Sequence, residues 1–205
     1  SIIVSTNNFE LYWRIPFIAT GIITIALSIL RTKIQETPVF TQLQKLGEIN
    51  ENPIAKLLNY KKEIFHIIVV SAFVCVFVYT CNGYYSSYLI NHALFSKSSA
   101  YLHCALTELV VTILAPIIAY YYGEKNNNRI LIIGIIGFIL NAPIQFYAAN
   151  NQNYSFIVAS LCLYAILDAL ITSSIAFYLY KILPADLKCT GIGFGWNFAA
   201  AFFGS

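Results

Sequence analysis

The chain has 205 residues, 59% of them hydrophobic and 10% charged, whereas soluble domains carry about 25% charged residues. Such a composition excludes a water-soluble fold. A net charge of +3, carried by segments between apolar runs, gives little support to a nucleic-acid partner.

The first predicted span runs from Trp13 to Leu30, and at about 1.5 Å per residue it reaches about 27 Å, enough to cross a hydrocarbon core. Trp13 and Arg14 at one end and Arg31 at the other suit the interface. A polar segment follows from Arg31 to Glu63. It holds Arg31, Lys33, Lys45, Lys56, Lys61 and Lys62, half of the 12 Lys and Arg residues. Loops rich in these residues stay on the cytoplasmic side, because moving them across the membrane is disfavoured. The segment is therefore assigned to the cytoplasm, as a hinge between the span at 1–30 and the series at 64–205. Within it, Glu36-Thr37-Pro38-Val39-Phe40 breaks the helix before proline. Pro53 then opens a pattern with Ile54, Leu57 and Leu58 on one face and Lys56 and Lys61 off it. Two readings stay open there, a helix lying on the inner membrane surface and a solvated linker.

Span two begins near Ile64 and is apolar through Cys81, then continues as Asn82-Gly83-Tyr84-Tyr85-Ser86-Ser87-Tyr88-Leu89. A polar, glycine-containing end at membrane depth needs protein or a wet cavity to satisfy its loosened backbone. The other reading is an aromatic belt at the outer interface. Span three is expected from about Ala100 to Tyr122, span four from Ile130 to Ala149 and span five from Tyr154 to about Tyr180. A sixth starts near Thr190. Lys125 and Arg129 follow span three and Lys181 and Lys188 follow span five, on the side of the polar loop, while the other side has Lys97, with Arg14 at its edge. The chain lacks methionine, begins at Ser1 and stops at Ser205 inside an apolar run, which reads as a piece of a longer protein.

Two carboxylates lie well inside predicted spans, Glu108 in the third and Asp168 in the fifth. An acid near the bilayer centre costs about 2.5–3.5 kcal/mol on insertion scales, and such residues face a bundle interior, a water-filled path or a proton relay. Ser160, Tyr164, Asp168 and Thr172 recur at intervals of four, which puts them on one helical face as a polar stripe. Glu108 has Thr112 a turn later and His103 nearer the outer end. For both acids the alternative is a structural group hydrogen-bonded between helices. Asn141 and Gln145, on either side of Pro143, read as interhelical glue, and His66 and His103 as interfacial. Cys75, Cys81, Cys104, Cys162 and Cys189 show no paired spacing and read as small packing residues. Gly191-Ile192-Gly193-Phe194-Gly195 lacks the strand of a phosphate loop and suggests close helix packing. The sequence carries no signature of a metal site, a nucleophile or a cofactor, so an enzyme is not expected.

Trp13-Arg14-Ile15-Pro16-Phe17, Leu30-Arg31 and Glu36-Thr37-Pro38-Val39-Phe40 resemble the sixth helix and central-loop entrance of the metabolite:proton symporter family of the major facilitator superfamily. Ser87-Tyr88-Leu89 resembles the end of that family's seventh helix. Leu183-Pro184-Ala185-Asp186-Leu187-Lys188-Cys189-Thr190-Gly191 with Trp196-Asn197 resembles its passage from helix ten to eleven. The resemblance covers nearly the whole chain and is closest to proline/betaine transporters. It implies an all-α integral membrane bundle of the major-facilitator type, with helices six to ten and part of eleven present. Residues 1–30 would be the last helix of the N-terminal half, 31–63 the central cytoplasmic loop and 64–205 a truncated C-terminal half-bundle. The implied function is proton-coupled symport of a small organic solute such as proline, betaine or a small carboxylate. Its partners would be the solute, protons, the lipid bilayer and the missing N-terminal half, in a bacterial inner membrane. Asp168, Glu108, Asn82, Tyr84, Tyr85 and Asn197 would line the path. The chain departs from the family at Ala119 and Gly123–Arg129, where members carry a glycine, an acid and several arginines, and at Ser86, where a proline is expected. The competing readings are a remnant that inserts without transporting and a membrane-embedded binding or receptor protein.

Overall fold

A computed structural model describes residues 14–33, 41–42, 45, 53–93, 95–122 and 126–204. The chain divides into two units, residues 1–49 and 50–205, each taken by itself. Trp13, the Glu36-Thr37-Pro38 helix break and Gly123 to Lys125 lie outside the described residues.

In the first unit, α1 spans Arg14–Arg31. Thr20 and Thr24 return their hydroxyls to the carbonyls of Pro16 and Thr20, at 2.7 and 2.8 Å. An apolar helix thereby satisfies its own polar side chains, as hydrocarbon surroundings require.

The second unit begins with α2 (Pro53–Leu57), which passes through a 3₁₀ turn at Leu58–Tyr60 into α3 (Lys61–Val78). A π-helical turn at Tyr79–Tyr84 and α4 (Tyr85–His92) continue the same rod. The Pro53 segment is thus helical and merges with span two, and the result is one continuous apolar helix of 40 residues. At about 1.5 Å per residue this rod is about 60 Å long, twice the hydrocarbon thickness, so its ends reach beyond the apolar layer. Four further helices follow: α5 (Lys97–Tyr122), α6 (Asn127–Asn150), α7 (Tyr154–Tyr180) and α8 (Lys188–Phe203). Among the described residues, α1, the long rod, α5, α6 and α7 are long and apolar enough to cross a membrane. The sixth expected span is the 16-residue α8.

Helix α7 is the hub, packed against α6 on one side and α5 on the other, while α8 packs along α3. Small residues set these distances. A β-carbon on Gly134 would meet Ile171, one on Gly137 would meet Leu167, and one on Gly195 would meet Ile67. Each glycine removes the atom that would hold the helix backbones apart, the usual way helices approach in membranes. Ile67, Val74, Phe138, Tyr164, Leu167 and Ile171 fill the resulting core. Large apolar side chains such as Phe65, Leu140 and Ile166 remain exposed on the outer faces, which suits a lipid solvent. These spans make the chain a multi-pass membrane protein.

The ends of the bundle differ in charge. Leu57 packs with Leu183 in one core, and Lys56 Nζ meets Asp186 Oδ2 at 2.6 Å, so the start of the rod lies beside the α7–α8 connection. Lys56, Lys61, Lys62, Lys181 and Lys188 gather at that end, where Arg129 also falls by helix alternation. Among the described residues of this unit, Lys97 is the charged residue at the opposite end, which is built from aromatic and amide contacts. There Tyr88 donates to Asn150 Oδ1 at 2.8 Å, and His103 Nε2 lies 3.1 Å from the Tyr154 hydroxyl. The turn between α6 and α7 places Gln152 in the left-handed region at φ 53°, held by a bond from its amide to the His92 carbonyl at 3.1 Å.

Candidate functional site

The site is built around the π-helical turn. Its Thr80-Cys81-Asn82-Gly83 core combines poor helix formers, and widening the turn tilts its carbonyls away from the helix axis. Gln145 of α6, fully buried, donates its amide to the Cys81 carbonyl at 2.8 Å. The Cys104 thiol of α5 lies 3.8 Å from the Asn82 carbonyl. The widened backbone at Tyr79–Tyr84 is thus supported from two neighbouring helices, while Tyr85–His92 returns to regular α-helix.

From the same turn Asn82 Nδ2 donates to Glu108 Oε1 of α5. Glu108 is half-buried and has no charged partner among the described residues. In α7, Asp168 is 3% exposed. The Tyr164 hydroxyl donates to its Oδ2 at 3.4 Å and the Thr172 hydroxyl to its Oδ1 at 3.1 Å. The four-residue spacing therefore does what helical geometry allows, placing one donor a turn before the acid and one a turn after. Tyr164 is fixed in turn by its ring, which stacks on Phe138 at 5.4 Å, and Phe138 stacks on Phe77 at 5.5 Å. The π-helical turn and α5 therefore join an amide to an acid at Asn82 and Glu108, and α7 holds the second acid between two of its own hydroxyls.

The other residues expected at the path are placed differently. Tyr85 is fully buried and gives its hydroxyl to the Gln145 carbonyl at 3.0 Å, so it ties α4 to α6. Tyr84 is 59% exposed and borders a cavity of about 340 Å³ with Tyr79, Thr80 and Phe203. Asn197 is exposed and bonds within its own helix, to the Gly193 carbonyl at 2.7 Å. Neither Tyr84 nor Asn197 bonds to the acid cluster. Ser160, the first member of the stripe, donates back to Ile157 at 2.8 Å, while its carbonyl accepts from Asn141 at 3.3 Å. Gln145 is the residue whose importance the sequence understated. Its position four residues after Asn141 showed an amide face, but nothing in the sequence showed that this face meets a widened turn.

No solved structure matches the chain. Curated relatives do, at low identity: the ectoine/proline transporter ProP of Corynebacterium glutamicum is 22% identical over 94% of this chain and 40% of its own length. A putative proline/betaine transporter of Staphylococcus aureus is 25% identical over 94% of this chain and 42% of its own length. The inner membrane metabolite transport protein YhjE of Escherichia coli is 24% identical over 92% of this chain and 44% of its own length. The chain thus spans less than half the length of these relatives. The pattern of the Major Facilitator Superfamily matches residues 2–205, and the chain belongs to that superfamily of membrane transporters.

Proposed function

We propose that this chain forms the C-terminal side of a proton-coupled symporter for a small organic solute such as proline, betaine or a small carboxylate. Residues 1–30 would end its N-terminal half, 31–63 would be the cytoplasmic connection and 64–205 the C-terminal bundle. The observation that carries the reading is the pairing of Asn82 with Glu108 beside a π-helical turn, together with Asp168 buried in α7 between two hydroxyl donors. Ionisable groups at membrane depth mark solute and proton pathways, and π-turns concentrate at functional sites. Transporters of this kind also place substrate where helices lose regular bonding near the midplane. Proline and betaine come from what the curated relatives are said to carry, ectoine, proline and betaine, and the small carboxylate comes from the family resemblance in the sequence.

In this mechanism Asp168 is the proton carrier. Its two hydroxyl donors hold the carboxyl in one rotamer, so a proton gained or lost changes charge at a fixed point. Glu108, held by Asn82, feels that change electrostatically and passes it to the π-helical turn, whose softer bonding lets the upper rod move. Solute entering between the two halves would engage Asn82 as Glu108 releases it. Tyr84 and Asn197 would meet solute at the mouth, and Tyr85 would hold α4 in register.

The test is uptake of labelled proline and betaine by the whole transporter containing this chain, with Asp168→Asn and Glu108→Gln variants. Each is expected to lower proton-driven uptake at least about tenfold, the scale of one lost acid–base participant being about 10²–10⁴. Wild-type uptake by both variants would overturn the assignment of the acids to the path.

A further inference from the structure

Away from the acid cluster, where α7 stops and α8 starts, lies a cavity of about 480 Å³ lined by Ala176, Phe177, Tyr180, Lys181 and Lys188. It sits at the basic end of the bundle. Lys188 Nζ lies over the Tyr180 ring, 3.5 Å from its centroid, which holds this half-buried ammonium at the cavity wall. Lys181, on the exposed turn after α7, lines the same space. The acid nearest in sequence, Asp186, is occupied by Lys56 at 2.6 Å and its side chain is 11% exposed. Among the described residues neither Lys181 nor Lys188 has a carboxylate partner. Helix α8 adds to the positive field, since its first turn has no acid and no side-chain cap, leaving its leading N–H groups open.

The lining is also ordered by depth. Ala176 and Phe177 lie about one helical turn, or about 5 Å, further into the bundle than Tyr180 and Lys181. Two ammonium groups therefore stand at the level where the spans end, with an apolar and aromatic floor directly beneath.

We propose that this cavity binds the phosphate of an anionic phospholipid, with the lipid's glycerol and first methylenes resting on Phe177 and Ala176. Basic pockets between helices on the cytoplasmic side take anionic head groups, and here the polar-to-apolar sequence of the wall matches that of the lipid. A free phosphate ion would use the lysines and leave the floor unused. A lipid seated here bridges the end of α7, the helix that carries Asp168, to the start of α8.

The experiment is native mass spectrometry of the detergent-purified whole transporter containing this chain, titrated with phosphatidylglycerol, phosphatidylcholine or inorganic phosphate. Phosphatidylglycerol is expected to bind more tightly than phosphatidylcholine. Lys181→Gln should weaken it about fivefold, and Lys181→Gln with Lys188→Gln about 25-fold, at about fivefold per basic residue. Lys97→Gln, at the opposite end, should leave it unchanged, and millimolar phosphate should not displace it. Both lysines are at least partly exposed, and among the described residues Lys181→Gln removes no side-chain hydrogen bond or ion pair. Equal affinity for the two lipids, or full phosphatidylglycerol affinity in the double variant, overturns the site. Displacement by millimolar phosphate overturns the lipid in favour of a free anion.

Discussion

Gln145 of α6 donates its side-chain amide to the main-chain carbonyl of Cys81, 2.8 Å away in the π-helical turn. A buried side chain thus stabilises a backbone irregularity on another helix, and that irregularity presents Asn82 to Glu108. Losing the donor leaves a carbonyl unsatisfied in an apolar interior, where water cannot replace it.

Gln145→Leu keeps the side-chain volume and removes that amide. Thermal unfolding of the purified chain in detergent should show a loss of about 0.6–1.7 kcal/mol, the range of interhelical hydrogen bonds in membranes. Cys81, now 2% exposed, should become reactive to maleimide. An unchanged melting temperature with Cys81 still protected would show that the turn stands without Gln145.

The Asn82–Glu108 bond should appear as non-additivity. In a double-mutant cycle of Asn82→Ala and Glu108→Ala, read by thermal unfolding, a coupling of at least about 0.5 kcal/mol is expected for residues in direct contact. Additive effects would separate the two side chains.

Helix approach at Gly137 should tolerate almost no added volume. Gly137→Val puts a branched β-carbon against Leu167, and overpacking of this kind costs about 1–3 kcal/mol. Yield of folded chain and melting temperature should both fall, whereas Gly193→Ala, with open space around its position, should be nearly silent. Equal behaviour of the two variants would contradict the close α6–α7 contact.

Sidedness can be read by chemistry. In a background without native cysteines, Lys97→Cys and Asn151→Cys should react with an impermeant reagent from outside intact cells, and Lys61→Cys only after permeabilisation. Labelling of position 97 only from the cytoplasm would invert the orientation that the distribution of lysines implies.

The spans were legible because hydrocarbon imposes length and apolarity on each helix separately. Arg14 to Leu30 of the first expected span, Ile130 to Ala149 and Tyr154 to Tyr180 therefore fall on helices whose ends agree within a few residues. The stripe of Tyr164, Asp168 and Thr172 was legible for a related reason, since contacts within one helix follow from spacing alone. Contacts between helices were not. Glu108 stood nearly alone in the sequence because its partner Asn82 lies 26 residues earlier, on another helix. Asn197 was singled out through the resemblance carried by Trp196-Asn197, and its amide bonds within its own helix, to the Gly193 carbonyl. The segment from Pro53 to Tyr60 showed a helical pattern, and the lack of any proline or glycine between Ile54 and Asn82 was the signal that it continues into span two, obscured by the polar run Asn59 to Glu63.

The most direct test of the account is proton movement on addition of solute to proteoliposomes containing the whole transporter. With the wild-type protein, adding solute outside should acidify the lumen as protons enter with it. With Asp168→Asn, solute-for-solute exchange should persist while that proton signal disappears. A full proton signal and gradient-driven accumulation in Asp168→Asn would contradict the central claim that Asp168 carries the coupled proton.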